Sequence, residues 1–245
     1  MTRFFRRLRQ AYGDMGLQSK FTITLILAVS LPVLLIGVFF YSRLYDMVVS
    51  YTIGQEQDSS SKTAPLIEKD VQRVLDAYAE ITDQSFFQKL FHQPVNSPSQ
   101  ILLDKTDARE FGNTVQDLVD DGRITGLQIY MDFPGESTEL FEDPLTEKYF
   151  SPVNRAKGRY WHGIFQGTGQ SELFCPEFYL GKREKEKYGD MAYIASTTFY
   201  YQQNSYPAYI AVYFTSEDFN NILKDNLTLD GSVSYILNER NAMVA

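Results

Sequence analysis

The chain has little of the residues that build covalently or metal-stabilised folds. Of its 245 residues one is cysteine, Cys175, and two are histidine. A lone cysteine excludes an intramolecular disulfide. Without a CxxC pair or a Cys/His cluster, the sequence also has no zinc-site pattern. We therefore expect neither a metal ion nor a cofactor.

Basic residues are scarce beyond the first 20 positions. Five of the 23 lysines and arginines, but only one of the 31 acidic residues, lie in residues 1–20; this leaves 18 basic and 30 acidic side chains in the rest. An acidic surface repels a phosphate backbone. The composition therefore argues against nucleic acid as a partner.

Catalytic motifs are lacking as well. No serine or cysteine nucleophile motif accompanies His162. Gly167-Thr168-Gly169 lacks the strand–helix context and the third glycine of a dinucleotide loop. We predict no catalytic residue in this chain.

One feature is present in abundance, a long apolar run. Residues 21–42 carry no charge, and as a helix they would span roughly the 30 Å of a bilayer core. The run ends in Phe39-Phe40-Tyr41 and is longer than the apolar part of a cleavable signal peptide. The bases of residues 1–20 precede it, so we predict a basic cytoplasmic tail, a membrane helix and an extracytoplasmic remainder.

Residues 43–93 read as a long helical segment with a polar interruption at 54–64. Pro65 suits the first position of a second helical part. An apolar stripe then follows at helical spacing, formed by Ile67, Val71, Val74, Tyr78 and Ile81. Such a stripe packs either on the sheet of its own domain or on the same helix of a second subunit; the pattern leaves both open.

Residues 94–228 have the pattern of an α+β domain. We predict a helix at 107–121, a strand at 124–131, a loop-rich region at 132–189, and a hairpin of two long strands, 191–202 and 206–214, joined by 203–205. In Ser216-Glu217-Asp218, either the serine or the aspartate is expected to cap a short helix that ends at Leu223. Residues 229–245 read as a strand, a tight turn at 238–241 and the start of another strand, which either complete this domain or begin a further unit.

In this order the parts resemble a known family. A tail ending in Gly16-Leu17-Gln18-Ser19-Lys20-Phe21, a membrane helix containing Leu31-Pro32-Val33-Leu34-Leu35-Ile36-Gly37, and a long helix before a mixed sheet are similar to the N-terminal half of a YesM-like (LytS-type) sensor histidine kinase with an extracytoplasmic double Cache domain. The resemblance implies a PAS-like mixed antiparallel sheet. It makes 94–228 the membrane-distal Cache unit and 229–245 the start of a truncated proximal one.

The resemblance also implies a ligand site. Distal Cache units often carry an Arg-x-Trp-Tyr pattern, with a tyrosine five residues before the arginine and an aspartate on a later strand. Here Arg159 and Trp161 match, His162 and Asn154 stand where tyrosines are expected, and Tyr213 lies near the place of the aspartate. We predict Arg159, Trp161, His162 and Tyr213 as ligand contacts, with Arg159 suited to a carboxylate and Trp161 to an apolar or cationic group.

From this resemblance follow expectations about function. The chain would be a homodimeric, membrane-anchored sensor of a small extracellular ligand, with a downstream kinase and its response regulator. The sequence contains no H-box and no ATP-binding glycine motif, so we expect no kinase activity from this chain alone. Alternatives are the same sensor attached to a chemoreceptor, a cyclic-dinucleotide enzyme or a membrane-bound transcription regulator, and an anchored surface hydrolase.

Overall fold

The structure, a computed structural model, describes residues 13, 15–93, 105–132, 148–226, 233 and 235–237. Its helices are α1 (Leu17–Thr82), α2 (Ser85–His92), α3 (Lys105–Asp120), α4 (Tyr160–Thr168), α5 (Lys182–Tyr188) and α6 (Glu217–Asp225). Its strands are β1 (Gly126–Met131), β2 (Phe150–Ser151), β3 (Glu172–Cys175), β4 (Met191–Tyr201) and β5 (Asn204–Phe214). The predicted α+β class is confirmed.

The chain divides into two compact units, residues 1–58 and 59–245, and α1 contributes to both. In the first unit α1 contains the predicted apolar run, whose large side chains are exposed. Within the described residues α1 is the one helix long and apolar enough to cross a membrane. A single-pass anchor near the N-terminus fits this helix.

The predicted interruption at 54–64 is wrong, because α1 continues through these residues. Pro65 lies inside the helix instead of starting one; since it has no N–H, the carbonyl of Ser61 receives no helical bond from it. The hydroxyl of Thr63 donates to the carbonyl of Ser59 (2.8 Å) within the same turns. Flanking helix holds a polar stretch helical, because extending a helix is much easier than starting one.

In the second unit α1 packs on the sheet of its own domain. Val74 and Ile81 are fully buried, while Ile67, Val71 and Tyr78 are partly buried against the same core. The Tyr78 ring contacts that of Tyr193 on β4 edge-on, at 5.1 Å between centroids. Of the two arrangements left open by the apolar stripe, the structure has packing within the domain.

The five strands form one mixed sheet in the order β2-β1-β5-β4-β3. β1 pairs in parallel with β2, and all other pairs are antiparallel. The β4–β5 hairpin is confirmed, but its turn is Gln202-Gln203 and not 203–205, with φ of 45° and 67°. Two such residues give the twist of a tight hairpin; glutamine is a poor signal for it, so the sequence pointed to the wrong turn.

One face of the sheet, the helical face, packs against α1, α2 and α3. Alternate residues of the strands supply it: Leu127, Ile129, Met131, Met191, Tyr193, Ala195, Ala208, Ile210, Val212 and Phe214. The other face, the site face, is covered by α4, α5 and the turns between them. Both faces are therefore buried, and chemistry-bearing side chains reach the site face from β1 and β5.

The region predicted as loop-rich is largely regular where it is described. Residues 148–189 contain β2, α4, β3, α5 and two 3₁₀ turns, Val153–Arg155 and Glu177–Tyr179. Pro152 and Pro176 stand directly before those turns, so these prolines start short helical turns and do not mark a continuous loop.

The short helix after β5 is confirmed as α6, but its predicted side-chain cap is wrong. Ser216 lies at the cap position, yet its hydroxyl donates to a carboxylate oxygen of Asp190 (2.6 Å) and its own N–H to the other oxygen (2.8 Å). A stronger charged acceptor, brought close by the fold, takes the serine away from the helix end.

Candidate functional site

The candidate site lies on the site face, under the start of α4. Arg159 is the residue just before α4 and has extended backbone, while Trp161 and Phe165 on that helix are buried against the sheet. Residues 157–165, KGRYWHGIF, lie in the region predicted as loop-rich and instead contain the start of a helix. Its spacing explains the arrangement, because positions three and four apart on a helix share one face.

A buried carboxylate is the centre of this site. Glu184 on α5 is 4% exposed. One oxygen, Oε1, accepts from the hydroxyls of Tyr130 (2.9 Å) and Tyr213 (3.2 Å). The other, Oε2, accepts from the backbone N–H of Gly181 (2.6 Å) and lies 3.2 Å from Nε of Arg159. A buried charge needs such pairing, and here every donor comes from a different part of the chain.

The charge of Glu184 and its surroundings keep both tyrosines as donors. Burial, together with the nearby negative charge, raises the pKa of Tyr130 and of Tyr213. Both hydroxyls therefore stay protonated at neutral pH and can donate to the carboxylate. Tyr188 stacks on Tyr213 at 4.9 Å, and its hydroxyl donates to Gln128, which adds a second anchor for α5.

Arg159 approaches the backbone at Gly181 so closely that any side chain there would displace the guanidinium. A Cβ at position 181 would lie 1.7 Å from Nη1 of Arg159. The other end of the α5 segment is also a glycine, Gly189, with φ of 143° and no room for a side chain beside Thr125. Glycines thus bound the segment 181–189 on both sides.

Beside this carboxylate lies a cluster of buried polar aromatic side chains. The rings of Trp161, His162 and Tyr209 lie 5.2–5.9 Å apart between centroids. They are 0%, 4% and 6% exposed. The indole N–H of Trp161 is buried and makes no hydrogen bond with any described residue. An unpaired buried donor costs about 1–3 kcal/mol.

His162 is held in its neutral form by its surroundings. Burial lowers its pKa, and the positive charge of Lys157 lowers it further. A neutral imidazole offers one donor and one acceptor nitrogen. Burial likewise raises the pKa of Tyr209, so its hydroxyl also remains a donor.

An open surface hollow and a more enclosed cavity are the candidate ligand sites among the described residues. A surface hollow of about 540 Å³ over α4 is lined by Arg159, His162 and other α4 residues. A second cavity of about 380 Å³ lies on the helical face, between Val71 and Phe219, and its one charged lining residue is Glu172. Ligand sites combine an apolar wall with a few convergent polar groups; the first hollow supplies the polar groups Arg159 and His162, and the second supplies mainly an apolar wall.

The four predicted contacts lie in two neighbouring groups. Arg159 and Tyr213 meet at Glu184, while Trp161 and His162 join Tyr209. Trp161 and Tyr213 are 0% exposed, so neither presents surface to solvent. Asn154 is exposed on the first 3₁₀ turn.

Sequence reasoning missed Glu184, Tyr130 and Gly181. Glu184 stands in KREKEKY, which has the composition of a solvated helix, but a glutamate three residues after Gly181 is the spacing at which it can bond the first free N–H. Tyr130 shares its strand face with Gln128 by simple alternation. In the described ranges no three histidine, cysteine or acidic side chains come together as metal ligands.

Comparison with protein-family models, curated proteins and solved structures found no match for this chain. Its function is therefore inferred from the geometry of the site face.

Proposed function

We propose that this chain is the extracytoplasmic input module of a membrane-bound sensor histidine kinase and that it binds a small ligand on the site face. The observation that carries the proposal is the buried indole N–H of Trp161, which has no partner among the described residues, beside His162 and Tyr209. His162 also lines the hollow over α4, and the unpaired donor of Trp161 next to it suits a ligand that brings an oxygen or nitrogen atom.

The long helix supports a signalling role. α1 includes the candidate membrane span and also the residues Val74, Ala77 and Ile81 that pack on the sheet. A ligand that binds two states of the domain unequally shifts their populations. One continuous helix would pass such a shift toward the membrane, with a second copy of the chain, the kinase and its response regulator downstream.

The chain supplies its own reporter for the test. Trp161 is the only tryptophan, so its fluorescence reports on the site in the full chain held in lipid nanodiscs. We would titrate amino acids, organic acids and sugars, and follow both the emission and the melting temperature. A ligand of the site is expected to change the emission saturably and to raise the melting temperature.

Variants assign the binding to the site face. Trp161→Phe removes the N–H and keeps a ring, and Arg159→Ala removes the cation; each is expected to weaken binding at least tenfold. Arg155→Ala is the matched control, because Arg155 is exposed on the neighbouring turn. A ligand that binds all three variants equally, or a panel with no binder, would refute the proposal.

A further inference from the structure

Arg159, Tyr130, Tyr213 and the Gly181 N–H converge on one carboxylate, that of the chain's own Glu184. We propose that these four groups form a carboxylate-binding subsite and that Glu184 fills it, so that a small external carboxylate binds there only in exchange for Glu184. The proposal deepens the sensor function above and rests on it for its biological role.

The donor set is more than a helix start needs. A glutamate at this position of a helix bonds the first N–H and otherwise faces water. Glu184 instead is 4% exposed and has two tyrosine hydroxyls and a guanidinium besides that N–H. Three hydrogen-bond donors and one cation around two oxygens are the partners with which proteins bind a carboxylate ligand.

The ion pair between Glu184 and Arg159 is not the two-bond arrangement that arginine prefers. It joins Nε of Arg159 and Oε2 of Glu184 at 3.2 Å, and no hydrogen bond between the two side chains accompanies it. Arginine binds a carboxylate best through two parallel bonds, which the tether to α5 does not provide here. A carboxylate that is not attached to the chain is able to take that geometry, and this gives exchange a driving force.

The segment that carries Glu184 is short and polar. Gly181 and Gly189 bound it, and the residues between them are mostly charged and exposed: Lys182, Arg183, Glu186 and Lys187. Its buried side chain is Glu184, and Tyr188 is half-buried. Exchange therefore moves mostly water-compatible side chains, and its main cost is the separation of Tyr188 from Tyr213 and Gln128.

The test is chemical rescue in the full chain in nanodiscs. Glu184→Ala removes a fragment that acetate matches, so the variant is expected to lose roughly 5 °C in melting temperature and to recover it saturably with acetate. Acetamide or chloride at the same concentration should restore nothing. The unaltered chain should need a much higher acetate concentration for a saturable shift, because acetate must first displace Glu184 from the subsite.

Three variants make the result specific. Glu186→Ala removes an exposed acid from the same helix and should neither destabilise nor respond. The double variant Glu184→Ala/Arg159→Ala should not be rescued. Glu184→Gln keeps the side-chain shape, and acetate should raise its melting temperature as well, since a neutral amide competes poorly for Arg159; this variant decides the matter if Glu184→Ala fails to fold.

The outcomes separate this inference from the sensor function. Absence of rescue in both Glu184 variants, or rescue that persists in the double variant, overturns the subsite. If acetate rescues the Glu184 variants but no compound of the panel binds the unaltered chain, the subsite is supported and the sensor function is refuted. If a compound of the panel binds but acetate rescues neither variant, the sensor function is supported and the subsite is refuted.

Discussion

The guanidinium of Arg159 packs against the backbone of Gly181. A substitution of this glycine therefore tests the contact between them. In Gly181→Ala the new Cβ displaces the guanidinium and breaks the pair with Glu184. We expect a loss of about 1–2 kcal/mol in unfolding free energy, a modest value because Arg159 is partly exposed. Urea unfolding measures it.

Gly163→Ala is the matched control, since nothing lies within 4 Å of its added Cβ in the middle of α4. Alanine is the better helix former by about 0.5–1 kcal/mol, so this variant should be equally or more stable. Equal losses in both variants would mean that contact with Arg159 is not what Gly181 provides.

His162 predicts a pH dependence whose sign is fixed by its lowered pKa. Below about pH 6.5, the ordinary histidine value, the unfolded chain binds the proton that the folded chain resists. Stability contributed by neutral His162 is therefore complete above that pH and falls as the pH drops toward the folded-state pKa. Melting temperatures between pH 5 and 7.5 should fall less steeply in His162→Gln than in the unaltered chain.

The control for the histidine is His92→Gln, because His92 is exposed at the end of α2. Its melting profile should follow that of the unaltered chain over the same pH range. If His162→Gln also follows it, buried His162 does not contribute to the pH response.

At the scale of elements, the continuity of α1 through Pro65 is measurable by spin labelling. Cysteines at Ser60 and Asp76, both exposed on α1, are 16 residues apart, so an unbroken helix places their backbones about 24 Å apart. Double electron–electron resonance should give one narrow distance near this value. The native Cys175 is buried, so labelling of the chain without added cysteines measures the background from this residue. A broad distance distribution between the two labels would show that the helix is broken at Pro65.

The β4–β5 turn gives a second test at this scale. Gln203 has φ of 67°, a backbone shape that costs a non-glycine residue about 1 kcal/mol. Gln203→Gly should raise the unfolding free energy by up to that amount, and Gln203→Val should lower it, since a β-branched side chain resists this shape. Changes of the same sign in both would contradict the assigned turn.

At the scale of the whole molecule, the membrane span and its orientation can be tested by cysteine labelling. A maleimide reagent that does not cross membranes should label Glu186→Cys, which is exposed on α5, in intact cells. Thr2→Cys should react only after the membrane is opened, if the basic tail is cytoplasmic. Labelling of Thr2→Cys in intact cells would reverse the proposed orientation, and loss of either protein from the membrane fraction in carbonate would argue against the span.

The second unit shows how far local pattern reaches. β4, β5, α3 and α6 follow the predicted segments closely, because alternation and helical spacing report directly on which side chains face a core. The predictions fail where composition is a poor guide. The polar stretch 54–64 is helical because the residues on both sides of it are helical. The prolines at 152 and 176 suggest a loop, but each of them precedes a 3₁₀ turn. Neighbouring structure decides such segments.

Sequence by itself determined the apolar span, the α+β class, the hairpin and the place of Arg159 and Trp161 before β4. Tertiary structure alone decided that Glu184 is buried and that it meets Arg159, Tyr130 and Tyr213. The physical reason is that periodicity depends on adjacent residues, whereas a charge can be buried only where donors from distant parts of the chain converge on it. KREKEKY reads as a solvated helix until those donors are placed around its one buried carboxylate.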